Sequence, residues 1–377
     1  KNILPNKFKK VKCWQDRSVA RSHMENNNEN DFNRGIMNDV KQISLPLLVI
    51  WLSDPLLSLI DTMSIGKVSS VIDLASLGPA TSLCNTGGNI LSFISVVTTC
   101  RAAKAFSDKD YLKMKYILND AFIVSFLCGS VISLLMFSSV GNFILNVFLG
   151  NPDTLSEATM LVPGAMKYIK IRVFGYIPSL MSSQIQSYAL AKRNIIFPLK
   201  TVFLATVINI ITDYIFVIKY NFGLAGAAWA TVISQLITFL YMVFNLPTEN
   251  NIHCNRRQFK TKFKDVIYFF KRCLGPALAN IGRAGILIMT SSCSSCCGTI
   301  AAAAHQVMIS WLHLFCPIGE AVSQTVMNLL PSYMSRKNQT FTPKTWLFVN
   351  TMGKITLFFG LLNAFSVSIP MFFSSMF

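Results

Sequence analysis

The chain has 377 residues, of which 52% are hydrophobic and 12% aromatic, but only 14% are charged. Soluble proteins carry about 25% charged residues, so this composition, with 29 Phe set in long apolar runs, excludes a soluble protein and indicates a polytopic membrane protein. The formal net charge of +17 does not imply a nucleic-acid partner, because the basic residues lie in short loops between apolar spans.

Ten Cys form no disulfide framework. Cys84, Cys100, Cys128, Cys273 and Cys316 fall inside apolar stretches, where Cys acts as a small hydrophobe. Cys293-Ser-Ser-Cys296-Cys297 has the look of a metal pair, but no second pair or His at ligand spacing accompanies it. No metal and no cofactor is expected. The first residue is Lys1 rather than Met, which reads as a processed product or a fragment.

Residues 1–41 are polar and Asn-rich and read as a disordered arm, or as a weak transit peptide or its remnant. The first span is expected at about Ile43 to Ile65, and Gly66–Ala80 reads as a loop. A second span follows at about Leu83 to Ala105 and a third at about Tyr116 to Phe137. Val140–Leu149 reads as a short interfacial helix. The fourth span, about Leu161 to Leu190, is interrupted at Gly175 and Pro178. The fifth and sixth form a hairpin about the turn Asn221-Phe222-Gly223, ending near Leu246. A hydrophilic loop at 247–265 then carries Arg256, Arg257, Lys260, Lys262 and Lys264. Three more spans are expected, at about Val266 to Ser292, Thr299 to Leu330 and Trp346 to the end, making about nine in all.

Basic residues collect in alternate loops. Arg101, Lys104, Lys109, Lys113 and Lys115 follow span two, Lys192 and Arg193 span four, and Arg336 and Lys337 span eight. The positive-inside rule places those loops and the amino terminus in the cytoplasm or its topological equivalent. Asn338-Gln-Thr340 is a formal glycosylation sequon on that side, where chance explains it better.

Charges inside the spans carry the functional signal. A carboxylate near the middle of a bilayer costs about 2.5–3.5 kcal/mol on insertion scales, so it normally faces a partner or a water-filled cavity. Asp61 lies fifteen residues after Pro46 in span one, and Asp213 lies fifteen after Pro198 in span five. The two spans run the same way, which sets both carboxylates at one depth. Asp54 sits two turns before Asp61, and Asn209 one turn before Asp213. Neighbouring carboxylates away from water bind protons more tightly, as a proton-coupled transporter requires. Asn209 and Thr231 are candidate hydrogen-bond partners. Purely structural readings stand beside this one: Asp61 capping a loop at Gly66, Asp213 pairing with Lys219, and Asp54 satisfying backbone freed at Pro55.

Arg283 and Glu320 are opposite charges in spans seven and eight, open between an ion pair and a substrate contact. Lys167, Lys170 and Arg172 near one end of span four either snorkel or help bind an anionic substrate. Arg283, Glu320, Gln306 and Arg172 are the substrate-cavity candidates. Aligning Pro276 with Pro46 puts Ser291 at the place of Asp61, so the second half reads as a relative of the first without its acids.

Leu74-Ala-Ser-Leu-Gly-Pro79, the Pro46…Asp61-Thr…Gly66 pattern, and Asn209-x-x-x-Asp213 followed by Gly223-Leu-Ala-Gly-Ala-Ala-Trp-Ala-Thr231 resemble the multidrug and toxic compound extrusion (MATE) transporters. Ala302-Ala-Ala-His305-Gln306 and Gly319-Glu-Ala-Val-Ser-Gln324 are similar too, and the latter resembles the plant plastid branch. The likeness runs from about Leu45 to the end. It implies an all-α, two-lobed helical bundle: a six-helix lobe over 42–246, the basic loop 247–265, and a partial second lobe over 266–377. It also implies export of small organic solutes by alternating access in exchange for H⁺ or Na⁺, with the cation site at Asp61, Asn209, Asp213 and Thr231, and Asp54 at a further polar position. Plastid members suggest small aromatic or phenolic cargo and a plastid envelope location, with plasma or vacuolar membrane as the other options. A monomer is expected. The family has twelve helices, so a chain of about nine spans is either a fragment or has an incomplete second lobe. A lipid-linked or oligosaccharide flippase of the same superfamily is the alternative. A membrane-embedded enzyme is disfavoured, because four His show no catalytic or metal-binding spacing.

Overall fold

The computed structural model describes residues 26–68, 70–149, 161–246, 263–296, 299–334 and 342–374. The described chain is almost entirely helical. In order come α1 (Asn26–Val68), α2 (Val71–Ile90), α3 (Phe93–Ser107), α4 (Tyr111–Phe137), α5 (Ser139–Phe148), α6 (Leu161–Ala191) and α7 (Ile196–Asp213). A π-helical segment, Tyr214–Lys219, continues α7; α8 (Gly223–Phe244), α9 (Phe263–Cys296), α10 (Thr299–Tyr333) and α11 (Pro343–Ser374) follow. Seven stretches among the described residues are long and apolar enough to cross a membrane. Large apolar side chains such as Leu134, Phe203 and Phe244 face outward, as a bundle with lipid for solvent requires. The protein is an integral, multi-pass membrane protein. The sequon at Asn338 lies outside the described residues.

Helix boundaries differ from the sequence expectations at three places, each for a local reason. α1 begins at Asn26 rather than near Ile43, and its 43 residues extend about 65 Å, well past a bilayer core. Ile36, Val40, Ile43 and Leu47 recur at helical spacing and are buried against α10 and α11, so the polar composition of this stretch conceals an apolar stripe.

The expected loop Gly66–Ala80 is instead mostly helix. Ser70 caps α2 by accepting from the Asp73 N–H at 3.2 Å, and α2 and α3 meet at a break near Leu91 and Ser92. The third difference is in α6, which runs through Gly175 and Pro178 without interruption. A Cβ at Gly175 would collide with Gln235 Oε1 of α8, so this glycine permits close packing between helices rather than a break.

α6 is the hub of the first half and packs against α2, α3, α4 and α8. Its Tyr168, Ile169, Val173 and Tyr176 join Leu77, Leu83, Leu224 and Val217 in one core. α7 is paired with α8 through the turn at Asn221 and Gly223, both with φ of 54°, a left-handed conformation that glycine adopts freely. The second half packs on the first through α10 against α1 and α3, and α9 against α3.

Among the described residues, the hydrogen bonds joining the halves lie at the basic-loop end or at mid-depth. Tyr333 donates to Asp39 Oδ2 (3.1 Å), Arg193 to Ser332 Oγ (3.0 Å), Ser107 to the Pro331 carbonyl (3.3 Å) and Trp51 Nε1 to Gln324 Oε1 (2.8 Å). Asn280 donates to Ser92 Oγ at 2.9 Å. Arg101 lies over the Phe269 ring at 5.1 Å.

Candidate functional site: a buried carboxyl pair

α1 packs along α7 and the π-helical segment, and this contact brings Asp61 and Asp213 together. Their carboxyl groups come within hydrogen-bonding reach of each other, and both residues are buried, at 8% and 1% exposure. Among the described residues, Asp61 Oδ1 and both oxygens of Asp213 have no hydrogen-bond partner. A carboxylate only accepts, so two of them can be hydrogen-bonded to each other only when one carries a proton. The arrangement can therefore take up a proton between its members. No ion pair joins Asp213 to Lys219 among the described residues, and α1 continues past Gly66, so Asp61 does not cap a loop there.

Arg172 of α6 stands near enough to act electrostatically on Asp61. It is flanked one turn on either side by Tyr168 and Tyr176, and its Nε lacks a partner. Tyr176 donates to the Cys84 carbonyl of α2 at 2.9 Å, which ties α6 to α2 beside the guanidinium. The sequence places Arg172 near one end of its span; the structure brings it within electrostatic reach of Asp61. The periodicity Tyr168–Arg172–Tyr176 along α6 is the signal that marks this face.

Asn209 is buried on α7, one turn from Asp213, with its Oδ1 unpartnered. Thr231 is half-buried on α8 and its hydroxyl donates within its own helix to the Ala227 carbonyl at 2.9 Å. Asp54 lies on α1, but its side chain is outside the described residues, as is that of Gln306 on α10. The side chains of Cys296 and Cys297 are also outside them, and no group of potential metal ligands occurs among those described.

The π-helical segment begins at the residue after Asp213. Its wider turns are seen in the Tyr220 N–H donating to the Ile215 carbonyl at 3.0 Å. π-turns recur at functional sites because the extra residue re-aims the side chains around it. Apolar periodicity cannot distinguish this turn from ordinary helix, so the sequence gives no sign of it.

Arg283 and Glu320 form an ion pair of 3.1 Å, with their side chains 65% and 37% exposed. A cavity of about 250 Å³ lies elsewhere, between α1, α3, α6, α7, α8 and α10, and none of Arg172, Arg283 or Glu320 is among its described lining residues.

Residues 46–215, which contain both carboxylates, match the MatE family model. Over that region, a little under half of its length, the chain is similar to the MatE family. It is 29% identical over 336 residues to Protein DETOXIFICATION 47, chloroplastic, of Arabidopsis thaliana, covering 89% of this chain and 60% of that relative. It is 28% identical over 219 residues to the probable multidrug resistance protein YpnP of Bacillus subtilis (strain 168), covering 57% and 46% respectively. The chain thus spans about three fifths of the first relative's length and under half of the second's. Its fold is that of a solved outward-facing multidrug resistance MATE family transporter of the MOP superfamily. The TM-score is 0.70 at 16% identity, over 88% of this chain and 72% of that one.

Proposed function

We propose that this protein is a secondary active transporter that moves small organic solutes across a membrane by alternating access, in exchange for H⁺. The observation that carries the reading is the Asp61–Asp213 pair, three of whose four oxygens find no hydrogen-bond donor among the described residues. Protonation joins α1 to α7 through the carboxyl pair; loss of the proton leaves two negative charges that repel across the same contact. A cargo that binds one arrangement of these helices better than the other is thereby coupled to the proton. Asn209 stands one turn from the pair as a supplementary polar ligand, with Thr231 and Asp54 as further members of the cation site. Closure at the basic-loop end, through Trp51–Gln324 and Asp39–Tyr333, supports a two-state bundle with that end shut.

H⁺ is favoured over Na⁺ because the two carboxyl groups meet directly, whereas a sodium ion needs several oxygens spread around it. The flippase reading needs a free cation in the second half, and Arg283 is instead neutralised by Glu320. The MatE match and the chloroplastic relative support a multidrug or toxic-compound type of cargo and a plastid envelope location.

The test is uptake of labelled cationic, neutral and anionic organic solutes into proteoliposomes under imposed pH or Na⁺ gradients. Uptake driven by a pH gradient and indifferent to Na⁺ is expected. Uptake driven by Na⁺ alone overturns the choice of ion, and no gradient-driven uptake overturns the transporter reading.

A further inference from the structure

The long apolar stretch Ile72–Ser107 is not one helix: α2 ends and α3 begins inside it, at Leu91 and Ser92. The turn there is tighter than an α-helix. The N–H groups of Leu91, Ser92 and Ile94 donate to the carbonyls of Gly88, Asn89 and Leu91, at 3.1, 3.2 and 3.2 Å. Such 3₁₀-type bonding within a helical span often marks a hinge. Gly87 and Gly88 precede it, and a glycine backbone takes up new angles at little steric cost.

The two helices have different attachments. α2 packs mainly on α6, where its Leu77, Leu83 and Cys84 share a core with Tyr168 and Val173. Tyr176 of α6 donates to the Cys84 carbonyl at 2.9 Å. A Cβ at Gly87 would lie 2.9 Å from that hydroxyl, so the glycine lets α6 hold the end of α2.

α3, in contrast, packs on α9 and α10 of the second half as well as on α4 and α6. It is fastened to the second half along its whole length. At its start, Asn280 of α9 donates to Ser92 Oγ (2.9 Å) and to the Asn89 carbonyl (3.3 Å). Further along, Arg101 lies over the rings of Phe269 (5.1 Å) and Tyr268 (5.9 Å). At its end, Ser107 donates to the Pro331 carbonyl at 3.3 Å. Toward α6, Thr98 donates to Gln184 Oε1 (2.8 Å) and Gln184 Nε2 to Ser95 Oγ (3.0 Å). Gln184 is long and unbranched, so it can follow a tilt of α3.

We propose that the break at 88–92 is a hinge: α3 tilts with the second half, α2 stays with the first, and Asn280 holds the break at its present angle. Tilting keeps the Asn280–Ser92 bond and gives up the one to Asn89. A carbonyl that loses its partner inside a membrane is costly, so the bond to Asn89 favours the present angle. That the tilt accompanies transport rests on the transporter reading above; the hinge itself needs no ion gradient.

Two measurements on the purified protein in detergent test it. The first is amide hydrogen exchange. Amides at 88–94 are expected to exchange at least about tenfold faster than those at 76–84 and 97–104. Asn280→Ala should quicken the break by a further factor of about three to ten and leave both flanks unchanged. Ser92→Ala, which removes the other end of one of these bonds, should act in the same direction. Elution and unfolding temperature report on folding.

The second is the distance between spin labels in a background without the native cysteines, in acidic and in alkaline buffer. Lys104→Cys with Lys271→Cys spans the seam between the halves, and Ile72→Cys with Lys104→Cys spans the break. The seam distance should hold while the break distance changes. Exchange at the break no faster than in its flanks, an unchanged rate in folded Asn280→Ala, or a seam distance that changes each overturns the hinge. Two constant distances with fast, Asn280-sensitive exchange contradict only the proton-coupled reading.

Discussion

Asp61 of α1 and Asp213 of α7 come together inside the bundle, and among the described residues no donor reaches Asp61 Oδ1 or either oxygen of Asp213. The two residues lie on helices that pack side by side yet stand 152 positions apart in the chain (213 − 61). Their meeting makes the α1–α7 contact sensitive to a single ionisation event, the property on which the proposed coupling depends.

Arg172 of α6 is a cation that acts on Asp61. Arg172→Leu removes the positive charge that acts on Asp61, whereas Arg172→Lys keeps it. Uptake driven by a pH gradient in proteoliposomes should fall at least about tenfold in the first and be largely retained in the second. Equal uptake by both variants would show that Arg172 only fills space.

The α6–α8 contact has no room for a side chain at Gly175, where a Cβ would strike Gln235 and press on Val232. Gly175→Leu should lower stability by about 1–3 kcal/mol, the usual range for overpacking a filled site. Thermal unfolding in detergent reads this as a lower midpoint. An unshifted midpoint would mean that the two helices stand further apart than described.

Closure at the basic-loop end rests in part on Trp51–Gln324 and Asp39–Tyr333. Each hydrogen bond contributes about 0.5–1.5 kcal/mol net. Trp51→Phe with Tyr333→Phe should therefore raise the open population several-fold. Placing a cysteine at Ser183, which lines the cavity of about 250 Å³, in a background without other cysteines makes this measurable as faster labelling from the basic-loop side. A labelling rate unchanged by the double substitution would assign the closure to the apolar contacts around Leu47, Ala321 and Phe348 alone.

Much of the helical order was legible in the sequence because lipid-facing helices must be apolar along a whole bilayer depth. The matched intervals Pro46–Asp61 and Pro198–Asp213 likewise set two expensive charges at one level. What escaped is what depends on neighbours. Gly66, Gly78 and Pro79 look like loop residues, but α1 runs on past Gly66, and the Ser70 cap and packing against α6 carry α2 through Gly78 and Pro79. Gly175 looks like a break and is a close contact. Arg172 was noticed, yet only the packing of α6 shows which carboxylate it faces. The extension of α1 back to Asn26 was hidden by Asn-rich composition that masks Ile36 and Val40, which continue the buried face of Ile43 and Leu47.

The central claim is that the carboxyl pair carries the coupled proton. It is tested most directly by proteoliposome uptake under an imposed pH gradient, comparing wild type with Asp61→Asn and Asp213→Asn. Both variants should reach the membrane folded and transport no more than empty liposomes. Unchanged pH-driven uptake by both variants would contradict it.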